Sequence, residues 1–300
     1  GGPEMTTPEQ TPAAALHPKW AGSRCTFGIV GLGVMGGSFA ARLRQLGYTV
    51  YGMDLDADTL QYAQDQGIID AGSQDPAMLL PQCDVVIFCL YPTKIEPWLR
   101  DHQHHLNPGT LVLEISGVKT GITGPLQDLM RPDCELLSIH PMCGRESQGI
   151  RYSDPKIFDG ANFLIIPTDR NTHESVRFVQ GLARELGCGA ISELDPESHD
   201  RMIGFLSQLT HVIAVSLMNT HENSHLVQYT GDSFRDLTRI ARINENMWPE
   251  LFLLNREILL DETDQFLAAV QQFRDMLAKG DRQGMKEAMI ESTKRREKFG

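Results

Sequence analysis

Clusters of basic residues and long uninterrupted apolar runs are both missing from this chain of 300 residues. Its 39 Asp and Glu exceed its 27 Lys and Arg, which gives a formal net charge of −12. Nucleic acids and anionic lipid surfaces attract clustered positive charge, so this balance argues against both as partners. A bilayer span needs about 20 consecutive apolar residues, whereas runs such as Val85–Leu90 have the length of strands. We therefore expect no nucleic-acid partner and no membrane span.

The chain also lacks the residue spacing of a metal site. None of its six cysteines forms a CxxC pair, and several lie in apolar segments. The cluster His102-Gln103-His104-His105 has no acidic or cysteine partner nearby, so it predicts a solvated helix end. We expect reduced thiols, no bound metal and a cytoplasmic protein.

Length and pattern predict two domains after a tail, because 300 residues exceed one ordinary core. Residues 1–24 are rich in Pro, Thr and Ala and lack the apolar segment of a signal peptide, which predicts a flexible tail. Residues 25–195 alternate short apolar runs with amphipathic stretches, which predicts a doubly wound, mostly parallel α/β sheet. Residues 196–300 show only helical periodicity and predict an all-helical domain.

The periodicity also predicts the individual elements. Apolar runs predict strands at Phe27–Val30, Thr49–Met53, Val85–Leu90, Thr110–Glu114, Glu135–Ile139, Asn162–Ile166 and Ala190–Glu193. In the last third, apolar residues at three- and four-residue steps predict helices at Glu197–Glu222, Trp248–Leu259 and Thr263–Ala278, before a charged final helix. The first of these helices is apolar enough that we expect it to pack against a second subunit.

A glycine motif follows the first predicted strand and opens the first predicted helix. It consists of Gly31, Leu32, Gly33, Val34, Met35 and Gly36. Such glycines allow a tight turn, close approach of a pyrophosphate and close packing of helix on strand, so the motif predicts a Rossmann-type dinucleotide site. Asp54 ends the second strand, where a carboxylate accepts hydrogen bonds from the adenine ribose. Asp56 and Asp58 follow without a nearby Lys or Arg, which favours NAD over NADP.

Four further segments carry residues suited to chemistry. They are Glu114–Lys119 (EISGVK), Ser138–Ser147 (SIHPMCGRES), His199–Arg201 (HDR) with Ser207–His211 (SQLTH), and Asp236–Ala241 (DLTRIA). The first two follow predicted strands, at the edge where open α/β sheets bind ligands. In order and approximate spacing, these segments resemble the prephenate and arogenate dehydrogenase family over nearly the whole chain after residue 25.

The resemblance implies an NAD-dependent oxidative decarboxylation of a cyclohexadienyl substrate. Hydride leaves C4 of the ring for the nicotinamide while the ring carboxylate departs as carbon dioxide. With prephenate the product is 4-hydroxyphenylpyruvate, a precursor in tyrosine biosynthesis. The resemblance further implies a homodimer formed through the helical domain.

The resemblance also implies roles for individual residues. His140 accepts the hydroxyl proton, a task that suits a neutral imidazole near pH 7. Arg239 grips the ring carboxylate with its planar guanidinium. His211 lines the substrate pocket, and Glu146 acts as a gate by pairing with Arg239. Lys119 and Gln208 are further candidate residues of the substrate site. For Lys119 a phosphate contact, a structural contact and a solvated loop lysine all remain open.

Three departures from the family pattern leave the substrate open. The family has Ser directly before Val-Lys, whereas this chain has Gly117 there and Ser116 one place earlier. In extended backbone that shift turns the side chain to the opposite face, so Ser116 is only a candidate substitute. Gln208 and Thr210 replace a histidine and a proline. Prephenate, arogenate and 4-amino-4-deoxyprephenate all remain candidate substrates.

Two other readings compete with this one. The β-hydroxyacid dehydrogenases share the Gly-Leu-Gly-x-Met-Gly start, but they need a catalytic lysine in the helical domain, and here no lysine occurs between Asp195 and Lys279. A non-catalytic NAD-binding regulator is the second alternative, suggested by Gly117 and Gln208.

Overall fold

A computed structural model describes residue 20 and residues 24–300 of the chain. Most of the predicted tail, residues 1–24, therefore lies outside the described residues. Trp20 is described, and its buried indole donates a hydrogen bond to the carbonyl of Gly109 at 2.9 Å. Its ring also packs edge-on against Phe178. This one residue of the predicted tail thus belongs to the packed core.

The first half of the described chain is built on one eight-stranded sheet. Its strands are β1 (Thr26–Val30), β2 (Thr49–Met53), β3 (Ala71–Ser73), β4 (Val85–Phe88), β5 (Leu111–Glu114), β6 (Glu135–Pro141), β7 (Phe163–Ile166) and β8 (Ile191–Glu193). Their order is β3-β2-β1-β4-β5-β6-β7-β8, and every neighbouring pair is parallel except β6 and β7. The predicted mostly parallel sheet is confirmed. Only β3 escaped prediction, because Ala-Gly-Ser has no apolar run.

Helices cover both faces of this sheet. They are α1 (Val34–Gln45), α2 (Ala57–Asp65), α3 (Pro92–His102), α4 (Thr123–Leu129) and α5 (His173–Leu186). Alternate residues of β4 serve different faces: Ile87 packs in the cluster that includes α1 and α5, and Phe88 packs in the cluster that includes α3 and α4. Strands buried on both faces explain the continuous apolar runs in the sequence.

The rest of the described chain is helical. Its helices are α6 (Pro196–Met218), α7 (Asp232–Thr238), α8 (Trp248–Leu254), α9 (Arg256–Lys279) and α10 (Arg282–Glu297). The predicted break after Leu259 is wrong, because the chain breaks at Asn255 instead. The Asn255 backbone leaves the helical conformation, and its buried amide donates hydrogen bonds to the carbonyl of Asp200 and to Oε1 of Gln208.

Helix α6 differs from its prediction in two ways. It ends at Met218 rather than Glu222, and a π-helical turn, Gly204–Gln208, interrupts it. By length and composition alone it is also long and apolar enough to cross a membrane, although a core helix of a soluble protein passes the same test. The expectation from the sequence concerned uninterrupted apolar runs, and α6 contains no run of that length, because polar residues such as Ser207 and His211 interrupt it. The absence of a membrane span stays a prediction.

Candidate active site

The three motif glycines meet three different surroundings. Gly31 has φ +91°, and a Cβ there would lie 2.7 Å from the carbonyl oxygen of Cys89. A Cβ on Gly36 would lie 1.8 Å from the carbonyl oxygen of Gly31, so both positions need glycine for the packing of the chain itself. A Cβ on Gly33 would meet nothing within 4 Å. Gly33 therefore opens free space at the amino terminus of α1, where a pyrophosphate binds in this kind of motif.

Asp54 holds the glycine loop against the end of β2. Its Oδ2 accepts the backbone N–H of Leu32 at 2.8 Å, and its Oδ1 accepts that of Asp56 at 2.9 Å. Each carboxylate oxygen retains a lone pair for a ribose hydroxyl. In the part of the chain that the structure describes, no Lys or Arg forms an ion pair with Asp54, Asp56 or Asp58. These residues fit an unphosphorylated adenine ribose.

The remaining motif residues anchor the loop. Leu32 is buried in the core, Val34 begins α1, and the side chain of Met35 packs against the core cluster. The loop is thus held by packing on one side and by Asp54 on the other.

His140 lies near the end of β6 and makes a hydrogen bond to the helical part of the chain. Its Nδ1 lies 2.8 Å from Nε2 of His199, and Nδ1 of His199 lies 2.8 Å from Oδ1 of Asp200. His199 and Asp200 are buried, whereas His140 is half-buried. Among the described residues, Nε2 of His140 has no hydrogen-bond partner. The three side chains form a chain of hydrogen bonds from α6 to the sheet.

Asp200 is held as an anion by several donors. Besides His199, it accepts the backbone N–H groups of Lys119 at 2.8 Å and Thr120 at 2.9 Å. Burial by itself would raise the pKa of Asp200, but these hydrogen bonds outweigh burial and lower it. Asp200 is therefore ionised at neutral pH.

Lys119 is a buried structural contact. Its Nζ donates to Oε1 of Glu114 at 2.7 Å and to the carbonyl of Ile139 at 2.6 Å, and the side chains of Lys119 and Glu114 are both 0% exposed. The alternatives of a solvated lysine and a phosphate contact are thus wrong. Burial, together with the nearby Lys119 charge, lowers the pKa of His140 well below its ordinary value of 6.5. His140 is a neutral imidazole at pH 7.

Ser116 and Gly117 show the consequence of the one-residue shift. The Ser116 backbone N–H donates to Oε2 of Glu114 at 2.8 Å, and its Oγ is buried without a hydrogen-bond partner among the described residues. A Cβ on Gly117 would instead lie 3.5 Å from the Leu251 side chain, so this position faces α8. A catalytic role for Ser116 stays a prediction.

Arg239 and Glu146 are brought together, as the resemblance implies. Their ion pair joins the turn that follows α7 to the loop that follows His140. Nδ1 of His211 lies 2.7 Å from the carbonyl oxygen of Ser207, and its ring stacks on Trp248 with centroids 3.9 Å apart. Burial lowers the pKa of His211, and the charges of Glu146 and Arg239 act on it in opposite directions.

Gln208 is placed among the helices. Its buried amide donates to the carbonyl of Leu251 at 3.2 Å and accepts from Nδ2 of Asn255 at 2.8 Å. Both ends of the amide are used in holding α6 against α8 and α9. Among the described residues, no hydrogen bond joins Gln208 to the other predicted site residues, and its place in a substrate pocket stays a prediction.

Sequence reasoning missed four residues of this site. His199 and Asp200 were noticed as part of a motif but received no role, and Glu114 and Trp248 received none either. The adjacent His-Asp pair in the first turn of a helix is the signal that was present. The histidines between residues 102 and 105 contact one another and Trp98, and the described residues contain no group of His, Cys, Asp or Glu suited to a metal ion.

Two family models match the chain in succession. Residues 39–192 match the nucleotide-binding domain of prephenate dehydrogenase, and residues 195–291 match its dimerization domain. The junction between the two matches agrees with the change from sheet to helices. The β-hydroxyacid dehydrogenase alternative is therefore not supported.

Individual relatives and solved structures agree with these matches. A prephenate dehydrogenase from Bacillus subtilis is 22% identical over 86% of this chain and 71% of its own length. A cyclohexadienyl dehydrogenase from Zymomonas mobilis is 25% identical over 89% of this chain and 94% of its own length. The crystal structure of the A. aeolicus prephenate dehydrogenase with hydroxyphenyl propionate and NAD+ superposes with a TM-score of 0.85, at 26% identity, over 93% of this chain and 99% of that one.

Proposed function

The chain belongs to the prephenate dehydrogenase family, and from that premise we propose that it catalyses the NAD-dependent oxidative decarboxylation of prephenate to 4-hydroxyphenylpyruvate. The ion pair between Glu146 and Arg239 carries this proposal, because it places a guanidinium beside the loop that follows His140. A neutral base and a carboxylate-binding cation are the two groups that this reaction asks of the protein.

The residues act on opposite ends of the substrate ring. When bound, NAD supplies the nicotinamide that takes the hydride from C4. His140 accepts a hydrogen bond from the C4 hydroxyl through Nε2, which eases hydride loss from that carbon. The proton returns to the same oxygen as the phenol forms, so the reaction releases no net proton. Arg239 holds the ring carboxylate until it leaves as carbon dioxide.

The glycine loop and Asp54 support NAD as the cofactor. The open space at Gly33 fits the pyrophosphate, and the Asp54 carboxylate fits the two ribose hydroxyls. A 2′-phosphate would meet Asp54, Asp56 and Asp58, which form no ion pair with a Lys or Arg among the described residues, so NADP is disfavoured.

The helical part supports a homodimer. Large apolar side chains remain exposed along its helices, among them Phe205, Leu206, Leu253, Leu260, Leu267 and Leu277. A matching surface of a second subunit buries such side chains in an obligate dimer. Light scattering after size-exclusion chromatography tests this, and a monomeric mass at micromolar concentration contradicts it.

One assay tests the reaction. NADH formation is followed at 340 nm with prephenate, arogenate or 4-amino-4-deoxyprephenate, each with NAD or NADP. We expect the fastest rate with prephenate and NAD. A faster rate with either amino substrate reassigns the substrate. NAD binding without NADH formation from any of the three supports a non-catalytic regulator instead.

A further inference from the structure

We propose that His199 and Asp200 are positioning residues that hold His140 in the tautomer whose Nε2 accepts the substrate hydroxyl. The inference rests on the proposed dehydrogenase reaction for its functional meaning. The structural part of the proposal is the protonation pattern of Asp200, His199 and His140. It is argued only from the hydrogen bonds between α6 and the sheet.

The pattern begins at Asp200. An ionised carboxylate only accepts hydrogen bonds, and this one already accepts the backbone N–H groups of Lys119 and Thr120. Nδ1 of His199, 2.8 Å from Oδ1, must therefore carry a proton and donate it. Asp200 thus selects one tautomer of His199.

The tautomer of His199 in turn determines the tautomer of His140. A neutral imidazole has one N–H group, so a His199 that donates from Nδ1 must accept at Nε2. The atom 2.8 Å from that Nε2 is Nδ1 of His140, which must then be the donor. A neutral His140 that donates from Nδ1 keeps its lone pair on Nε2, the nitrogen without a partner among the described residues.

The charges around the two rings favour neutral His199. Burial, which is the largest influence, and the positive charge of Lys119 lower its pKa, while Asp200 and the more distant Glu114 oppose them without prevailing. His140 faces the same Lys119, whose ammonium donates to the carbonyl of Ile139, directly before it. If His199 were doubly protonated, its Nε2–H would point at the N–H on Nδ1 of His140. It would find an acceptor there only if His140 changed tautomer.

The chain of hydrogen bonds from Asp200 through His199 to His140 is held in place on its helical side. The carboxylate of Asp195 caps α6 by accepting the Ser198 N–H at 2.8 Å, and the Asn255 amide donates to the carbonyl of Asp200 at 3.1 Å. The first turn of α6 is therefore fixed at both ends of the His-Asp pair. Because the donor chain crosses from helix to strand, it also fixes the helical part relative to the base on the sheet.

The tautomer itself is measured on the intact chain by nitrogen-15 NMR of labelled histidines at pH 7, without substrate. We expect the His140 signals to show protonated Nδ1 and unprotonated Nε2, with His140→Asn supplying the assignment. Protonated Nε2 on His140 overturns the proposal. The NMR result does not depend on activity, whereas the wild-type assay with prephenate tests the proposed reaction. The two measurements therefore distinguish a wrong tautomer assignment from a wrong reaction.

Two variants at one position add a kinetic test. His199→Leu removes the acceptor for Nδ1 of His140, and we expect kcat to fall about 10²-fold with the KM for prephenate within about twofold. His199→Gln keeps an oxygen acceptor near the place of Nε2, and we expect it to recover at least about tenfold of that loss. His173→Leu is the control, because His173 is exposed at the start of α5, and we expect wild-type kinetics. Equal kcat for His199→Leu and wild type overturns the proposal, and if neither His199 variant folds, the NMR measurement decides.

Discussion

Lys119 and Glu114 form a fully buried ion pair beneath the candidate active site, with Nζ 2.7 Å from Oε1. We expect Lys119→Met to lower the free energy of unfolding by about 3–5 kcal/mol, because it leaves the Glu114 charge buried without a partner. The double variant Lys119→Met with Glu114→Gln removes both charges and keeps an acceptor for the Ser116 N–H, so we expect a smaller loss. Urea denaturation measures both values. An equal or larger loss in the double variant contradicts the assigned role of the pair.

His140→Asn tests the base directly. We expect kcat with prephenate to fall about 10²-fold or more, because the amide cannot take over the proton-accepting nitrogen. The dissociation constant for NAD, measured by fluorescence titration, is expected to stay within about twofold, since the cofactor contacts proposed here lie on the glycine loop and Asp54. An unchanged kcat removes His140 from the mechanism.

How far the sequence predicts the site depends on the distance between the residues involved. The glycine motif was identified because its three glycines act within a single turn, and the structure assigns them three different surroundings. The pairing of Arg239 with Glu146 followed from the family resemblance. The link from His140 to His199 was missed, because no local pattern indicates which side chains meet at a sequence separation of 59.

The fold shows the same limit. Seven strands were predicted from apolar runs, since burial between two helical layers leaves a clear mark on the sequence. The break at Asn255 was not, because it depends on an amide that is buried against Asp200 and Gln208. The burial of Lys119 was equally hidden, since a lysine after a strand has the same local sequence whether it is solvated or paired.

The pH dependence of kcat/KM follows from the lowered pKa of His140. Burial and the Lys119 charge keep the imidazole neutral, so the active form persists as the pH falls below 6.5. We expect kcat/KM for prephenate to be constant from pH 8 to below 6.5 and to fall only at more acidic values. In Lys119→Met we expect the fall in kcat/KM at acidic pH to begin at a higher pH, because losing the positive neighbour raises the pKa of His140. An acid limb at or above 6.5 in the wild type contradicts the assignment.

Arg239→Gln tests the carboxylate contact. We expect the KM for prephenate to rise about tenfold or more with a smaller change in kcat, because the contact exists before and during the reaction. Arg235→Gln is the matched control, since Arg235 is exposed one turn earlier in α7 and forms no ion pair among the described residues. An unaltered KM in Arg239→Gln places the guanidinium outside the substrate pocket.

Gly33→Ala and Gly36→Ala separate cofactor binding from folding. A Cβ on Gly33 enters the open space where the pyrophosphate is expected, so the variant should fold normally and bind NAD about tenfold or more weakly. A Cβ on Gly36 would lie 1.8 Å from the backbone oxygen of Gly31, so α1 must move away from β1 and the unfolding free energy should fall by more than about 2 kcal/mol. Thermal unfolding without cofactor, combined with NAD titration, measures both effects. Wild-type NAD affinity in Gly33→Ala would mean that the dinucleotide does not approach the chain at this glycine.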